Sequence, residues 1–357
     1  MEDYSIRIAQ LIRQNGLNGA NHGLMHGNTG LSIFFYHLAR RINIPDYEQI
    51  ADDLLDKSFA NLTTSAPVDF ENGLAGIGWG IEYLVQNNFA EGNTDEILEE
   101  VDNKVFRALN EENHTSFELA NGLTGYLFYL NNRLKNKTHP ASMAQRINRE
   151  LLILAINKLD ELVTPQFTTI VKEMQFDLFW KFPVVLYGLL EAFKLNIYND
   201  KIGCMVRQWL PNLEAYVPSL HINRLFLAVV LNRIYSIFPE KRIEKQVQIL
   251  LFATDFEALK TEIDYNVLNI RYGWPGAVLI LKFAIEEFPT DNPNYQFIVQ
   301  TYRDITDRQN TQFENLSINL PSDVPGQFGL TVGLAGIGLM ELIWPGVLSE
   351  YHLINSL

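Results

Sequence analysis

Asn72-Gly73-Leu74-Ala75-Gly76-Ile77-Gly78 sets a pair of glycines directly before the apolar stretch Ile77–Val85, IGWGIEYLV. The same Gly-x-x-Gly pattern stands at Gly27–Gly30, Gly122–Gly125, Gly273–Gly276 and Gly333–Gly336. Each copy leads into another apolar run: Leu31–Leu38, Tyr126–Leu130, Ala277–Ala284 and Ile337–Ile343. The first glycines of successive copies lie 46, 49, 151 and 60 residues apart. The long interval is about three times 50, so it has room for two copies without glycines, and a period of roughly 50 makes seven units of the chain. Phe182–Phe193 and His221–Tyr235 fill the fourth and fifth places as apolar runs that lack the glycine pair.

Runs that are apolar nearly all round form buried helices. The segments between them are amphipathic. Tyr4, Ile8, Leu11 and Ile12 share one helical face, as do Ile97, Val101 and Val105, and again Leu151, Leu152, Ala155 and Leu159. Alternation with period two is scarce. The expected fold is therefore all-α: an outer amphipathic helix followed by an inner buried one, seven times over. Each unit needs its neighbours to bury its apolar faces, so residues 1–357 are expected to form one domain. The glycines at the entry to each inner helix are expected to permit unusual dihedrals and close helix approach. Helix N-termini can also cradle phosphate, but repetition in five places favours packing.

Composition narrows the function classes. The chain has 357 residues, 47% of them hydrophobic, and a formal charge of −14. That charge argues against nucleic acid and anionic membrane surfaces, and favours a cationic or neutral ligand such as a peptide or sugar. Cys204 is the only cysteine, which excludes an intrachain disulfide and a multi-thiolate zinc site. Met1-Glu2-Asp3-Tyr4 has neither a basic nor an apolar leader region, and Leu225–Leu231, one of the longer apolar runs, cannot span a bilayer. A cytoplasmic protein without membrane insertion is expected.

Loops that precede the inner helices gather at one mouth if those helices form a barrel. Three of them place an aromatic residue near an acid: Asp69-Phe70-Glu71, Phe117-Glu118 and Phe176-Asp177-Leu178-Phe179-Trp180. His22 and His26 precede the first motif, Arg271-Tyr272 the sixth, and Gln327-Phe328 the last. Glu71, Glu118, Asp177 and His26 are the candidate acid–base groups. Asp69, Phe70, Phe117, Trp180, Arg271, Tyr272 and Gln327 are the candidate ligand-binding residues. The competing reading makes the acids helix caps, His26 a structural histidine, and Arg271 the partner of Glu71, Glu118 or Asp177 across the mouth. His37 reads as a satisfied core histidine and Trp274-Pro275 as an architectural helix start.

His26-Gly27-Asn28-Thr29-Gly30, Asn72-Gly73-Leu74-Ala75-Gly76-Ile77-Gly78, Tyr272-Gly273-Trp274-Pro275-Gly276 and Val332-Gly333-Leu334-Ala335-Gly336-Ile337 together resemble the repeats of lanthionine synthetase C-like proteins. The resemblance implies an α/α toroid of seven outer and seven inner helices. It also implies a role in adding cysteine thiols to dehydrated Ser/Thr of a peptide precursor, with zinc held by two cysteines and a histidine. In this chain Arg271, Thr331 and Val332 stand at those ligand positions. Neither metal nor other cofactor is then expected. A peptide precursor or its modifying enzymes become the expected partners, with the protein as accessory or scaffold. Two alternatives remain open: a metal-independent carbohydrate-active enzyme with paired carboxylates, as in toroidal glycosidases, and a structural interaction module.

Overall fold

The computed structural model describes residues 4–15, 17, 21–60, 66–111, 114, 116–135, 142–171, 175–214, 216–314 and 327–344. All regular structure among them is helical. Seven inner helices are present: α2 (Asn28–Ile42), α4 (Leu74–Gln86), α7 (Leu123–Lys135), α10 (Lys181–Lys194), α12 (His221–Tyr235), α15 (Trp274–Glu287) and α17 (Leu334–Ile343). The outer set is α1 (Tyr4–Asn15), α3 (Pro45–Phe59), α6 (Glu99–Glu111), α8 (Met143–Val163), α11 (Asn199–Glu214), α13 (Lys241–Phe252) and α16 (Tyr295–Glu314). Short helices α5 (Thr94–Ile97), α9 (Phe167–Ile170) and α14 (Phe256–Glu262) lie between them. The fourth and fifth inner helices fall where the apolar runs without glycines placed them.

The inner helices pack in sequence order, α2 on α4, α4 on α7, α7 on α10, α10 on α12 and α12 on α15, and α17 returns to α2. The expected pairing of each outer helix with the inner helix after it is corrected by the packing. Four outer helices lie mainly on the inner helix before them, α3 on α2, α8 on α7, α13 on α12 and α16 on α15, while α6 and α11 also lean on the outer helices α8 and α13. Only Asn43 and Ile44 separate α2 from α3, and such short links make antiparallel neighbours. Helix α1 is left over by this scheme and packs on α17, so the two ends of the chain close the ring.

The role expected of the glycines is also corrected. Gly27, Gly73, Gly273 and Gly333 have φ between −131° and −101°, ordinary extended backbone. What they supply is space. A Cβ on the second glycine of each pair would collide with the carbonyl oxygen six residues earlier: Leu24 for Gly30, Phe70 for Gly76, Leu119 for Gly125, Ile270 for Gly276 and Leu330 for Gly336. The loop folds back over its own helix start, and its carbonyls accept the helix's first N–H groups. Asn28 N–H donates to Asn21 O (2.7 Å), Leu74 to Pro67 O (2.9 Å), Leu123 to Ser116 O (3.1 Å) and Leu334 to Gln327 O (2.9 Å). These bonds satisfy donors that a side-chain cap would otherwise take. In the fifth unit the Glu262 carboxylate does this instead, accepting from His221 N–H at 2.7 Å and Ile222 N–H at 3.4 Å.

A charged network ties four neighbouring helices together within the core. Arg133 of α7 is fully buried and donates to Glu82 of α4 (2.6 Å), Asp102 of α6 (2.8 Å) and Asp95 of α5 (3.1 Å). Tyr129 and Asn148 also donate to Asp102. Desolvation is costly, and the pairing offsets it only while every member is present. His37 is satisfied as expected: its Nε2 lies 2.7 Å from Tyr83 Oη, and burial lowers its pKa to about 4.

Three variants check these points. Gly76→Ala is expected to cost about 2–3 kcal/mol in denaturant unfolding, because a backbone carbonyl must move. Gly203→Ala in outer helix α11, where the nearest atom is the Phe238 ring edge at 3.3 Å, is expected to stay within about 1 kcal/mol of the parent. Arg133→Leu strands two buried carboxylates and is expected to lose roughly 3–5 kcal/mol.

Candidate functional site

The loops before the inner helices bond to one another through their main chains and form a ring at the helix N-termini. Met25 N–H donates to Glu71 O at 2.9 Å, and both Phe70 and Glu71 N–H donate to Ala120 O at 2.9 Å. On the far side Leu178 N–H donates to Arg271 O (2.8 Å), Arg271 N–H to Thr331 O (3.1 Å) and Leu330 N–H to Met25 O (2.8 Å). The third and fourth loops are joined by an ion pair, Glu118 with Lys181 at 2.7 Å. The loop of the fifth unit stands outside this ring, since the fourth bonds directly to the sixth. A missing glycine pair therefore marks an irregular place in the fifth unit but not in the fourth.

The ring brings part of the sequence-predicted set together. His26 Nε2 lies 2.9 Å from Glu71 Oε1, and its Nδ1 lies 3.4 Å from Thr331 Oγ1. Arg271 donates through Nε and Nη2 to the two oxygens of Asp177, at 3.1 and 3.2 Å. Its guanidinium stands over the rings of Tyr272 (4.7 Å) and Phe179 (5.0 Å). The His26 hydrogen bond holds the Glu71 carboxyl below the ordinary range against the opposing effect of burial, with help from the Arg271 charge. Burial works against the Arg271 charge, yet the Asp177 bonds raise its pKa overall. Tyr272 is pushed up by burial first and by the Asp177 carboxylate second.

Other predicted residues do different work. Asp69 Oδ1 accepts from Asn72 N–H (2.8 Å) and Gly73 N–H (3.2 Å), which fixes the turn into α4 as the capping reading holds. Asn269 does the same for Tyr272 N–H in the sixth unit (2.9 Å). Glu118 and Lys181 are both about two-fifths exposed and sit on the rim. Phe70, Phe117 and Trp180 are buried; Phe70 lines the cavity beneath the ring, and Trp180 packs toward Tyr216 and Phe226. Gln327 serves through its carbonyl at the start of α17.

Each of Glu71, Glu118 and Asp177 has its own cationic or imidazole partner. All three lie close enough to Tyr272 for their charges to raise its pKa. Among the described residues no three His, Cys, Asp or Glu side chains converge as a metal site requires. No helix among them is long and apolar enough to cross a membrane.

Sequence reasoning missed a second register. Leu24, Phe70, Leu119, Ile270 and Leu330 each stand three residues before the first glycine of a pair, and all five point under the ring into a cavity of about 270 Å³. Aligning the five motifs on their glycines shows this apolar column.

The depressed Glu71 pKa has a consequence for stability. The ionised carboxylate favours the folded state, so its contribution is present above the ordinary 4.5 and is lost as pH falls through the lower folded value. Glu71→Gln is expected to lower stability by about 1 kcal/mol at pH 7. The gap from the parent should close in acid, as read from thermal unfolding at pH 7, 5 and 3.

A model of the family described as lanthionine synthetase C-like protein matches residues 20–178. No curated protein matches the chain. Among solved structures, nisin cyclase superposes with a TM-score of 0.67 at 13% identity, over 98% of this chain and 95% of that one. Residues 20–178 are thus similar in sequence to lanthionine synthetase C-like proteins, and nearly the whole chain shares the fold of nisin cyclase.

Proposed function

We propose that the chain is a zinc-free member of this group that binds a peptide at its loop ring and serves as an accessory or scaffold in lanthipeptide-type maturation. One observation carries the reading. At the positions where the family resemblance implies zinc ligands, Arg271 is committed to Asp177 and Thr331 lies against His26. A guanidinium has no lone pair to give a metal, and Val332 has no donor atom in its side chain. The donors zinc prefers are not supplied by this set. A thiol has then no metal to activate it, while the ring keeps a polar surface of alternating charge suited to a peptide backbone. The overall charge of −14 favours a peptide of neutral or cationic character.

The paired-carboxylate reading has little support, because each acid is engaged by a partner of its own and the cavity beneath them is apolar. An inverting glycosidase needs carboxyl groups roughly 6.5–9.5 Å apart with a water between them. The interaction-module reading has one observation in its favour. On the outer ring Phe252 is 90% exposed, and Phe297, stacked on Phe256, is 59% exposed.

The test uses a synthetic peptide that carries one dehydroalanine and one cysteine a few residues apart. The full chain, loaded with zinc and then desalted, is expected to retain much less than one zinc per molecule by elemental analysis. Titration calorimetry is expected to show the peptide binding, while alkylation with iodoacetamide shows its thiol still free after incubation. Stoichiometric zinc with consumption of the thiol would overturn the reading, and so would the absence of peptide binding.

A further inference from the structure

The apolar column beneath the loop ring has a use beyond packing. Leu24, Phe70, Leu119, Phe179, Ile270 and Leu330 come from six different loops and form the ceiling of the cavity of about 270 Å³. Its walls descend along the inner helices past Trp79 and Phe128 to Ile343 and Trp344 at the far end of α17, and they offer no polar surface. Thr331 belongs to both places: its side chain meets His26 in the polar cluster, and the residue lines the cavity. The polar ring and the apolar chamber therefore share a wall.

An apolar chamber of about 150 Å³ suffices to take up benzene. The pocket here is larger, is partly open to solvent, and is faced by the rings of Phe70, Trp79, Phe128, Phe179 and Trp344. Apart from Thr331 its lining side chains are apolar, so a polar group would be penalised there. Aromatic faces and edges favour another ring.

We propose that this chamber receives one phenylalanine side chain of the peptide held at the loop ring. The inference rests on the peptide-binding reading above and adds the residue that the site selects. The six ceiling residues would act as the gate for the ring, and the charged cluster above them would hold the flanking backbone.

The experiment compares two versions of the dehydroalanine–cysteine peptide, identical except for Phe or Ala between the reactive residues, by titration calorimetry on the full chain. The Phe peptide is expected to bind at least tenfold more tightly. Leu339→Trp and Leu279→Trp each fill the chamber from a different inner helix, and either one that keeps the helical circular dichroism is expected to erase that preference while leaving the Ala peptide's affinity unchanged. Fluorobenzene, followed by its fluorine resonance, should bind the parent and be excluded by the same variants. Equal affinity for the two peptides would overturn this inference and leave peptide binding standing. A Phe preference that survives both filled chambers would overturn it as well, because the ring would then lie elsewhere. If neither peptide binds, the peptide-binding reading falls and takes this inference with it.

Discussion

The structure depends on a steric constraint at the start of each glycine-led inner helix: a loop carbonyl lies where a Cβ would be. Because the loop doubles back this closely, its carbonyls can accept the helix's first N–H groups. The same fold-back aims one apolar side chain under the ring and one or two polar ones above it. Glycine is required here for want of space, since the backbone dihedrals are ordinary. The mouth, the chamber and the inner-helix spacing all follow from that contact.

Ring closure adds a second dependence. The short links run from inner to outer helix, so hairpins form in that order and the first helix is left without a partner. Its natural place is beside the last inner helix, where it covers the remaining apolar face. The N-terminal helix and the last repeat thus stabilise each other although they are distant in sequence. The Arg133 network does comparable work on the other side of the ring, fixing α4, α6 and α7 by charge where apolar contacts alone would allow sliding.

Electrostatically the mouth is a set of matched pairs. His26 with Glu71 and Arg271 with Asp177 face inward, and Lys181 with Glu118 occupies the rim. The result is a polar, mixed-charge lip above an apolar pocket.

Periodicity in the sequence was enough to determine the seven-fold helical plan, because glycine pairs and all-round apolar runs leave a mark whatever their partners are. It placed even the two inner helices that lack glycines. It also marked Arg271, His26 and Glu71 as mouth residues, since their distance from the glycines sets their height in the loop, and Asp177 by its place before the fourth apolar run. What it could not supply was pairing. That Arg271 takes Asp177 and not Glu71, that Trp180 turns toward Tyr216, and that α1 belongs to α17 are decided by contacts between residues tens to hundreds of positions apart. Such contacts depend on the curvature of the closed ring. Only the tertiary structure sets that curvature, because it arises from the packing of all seven units at once.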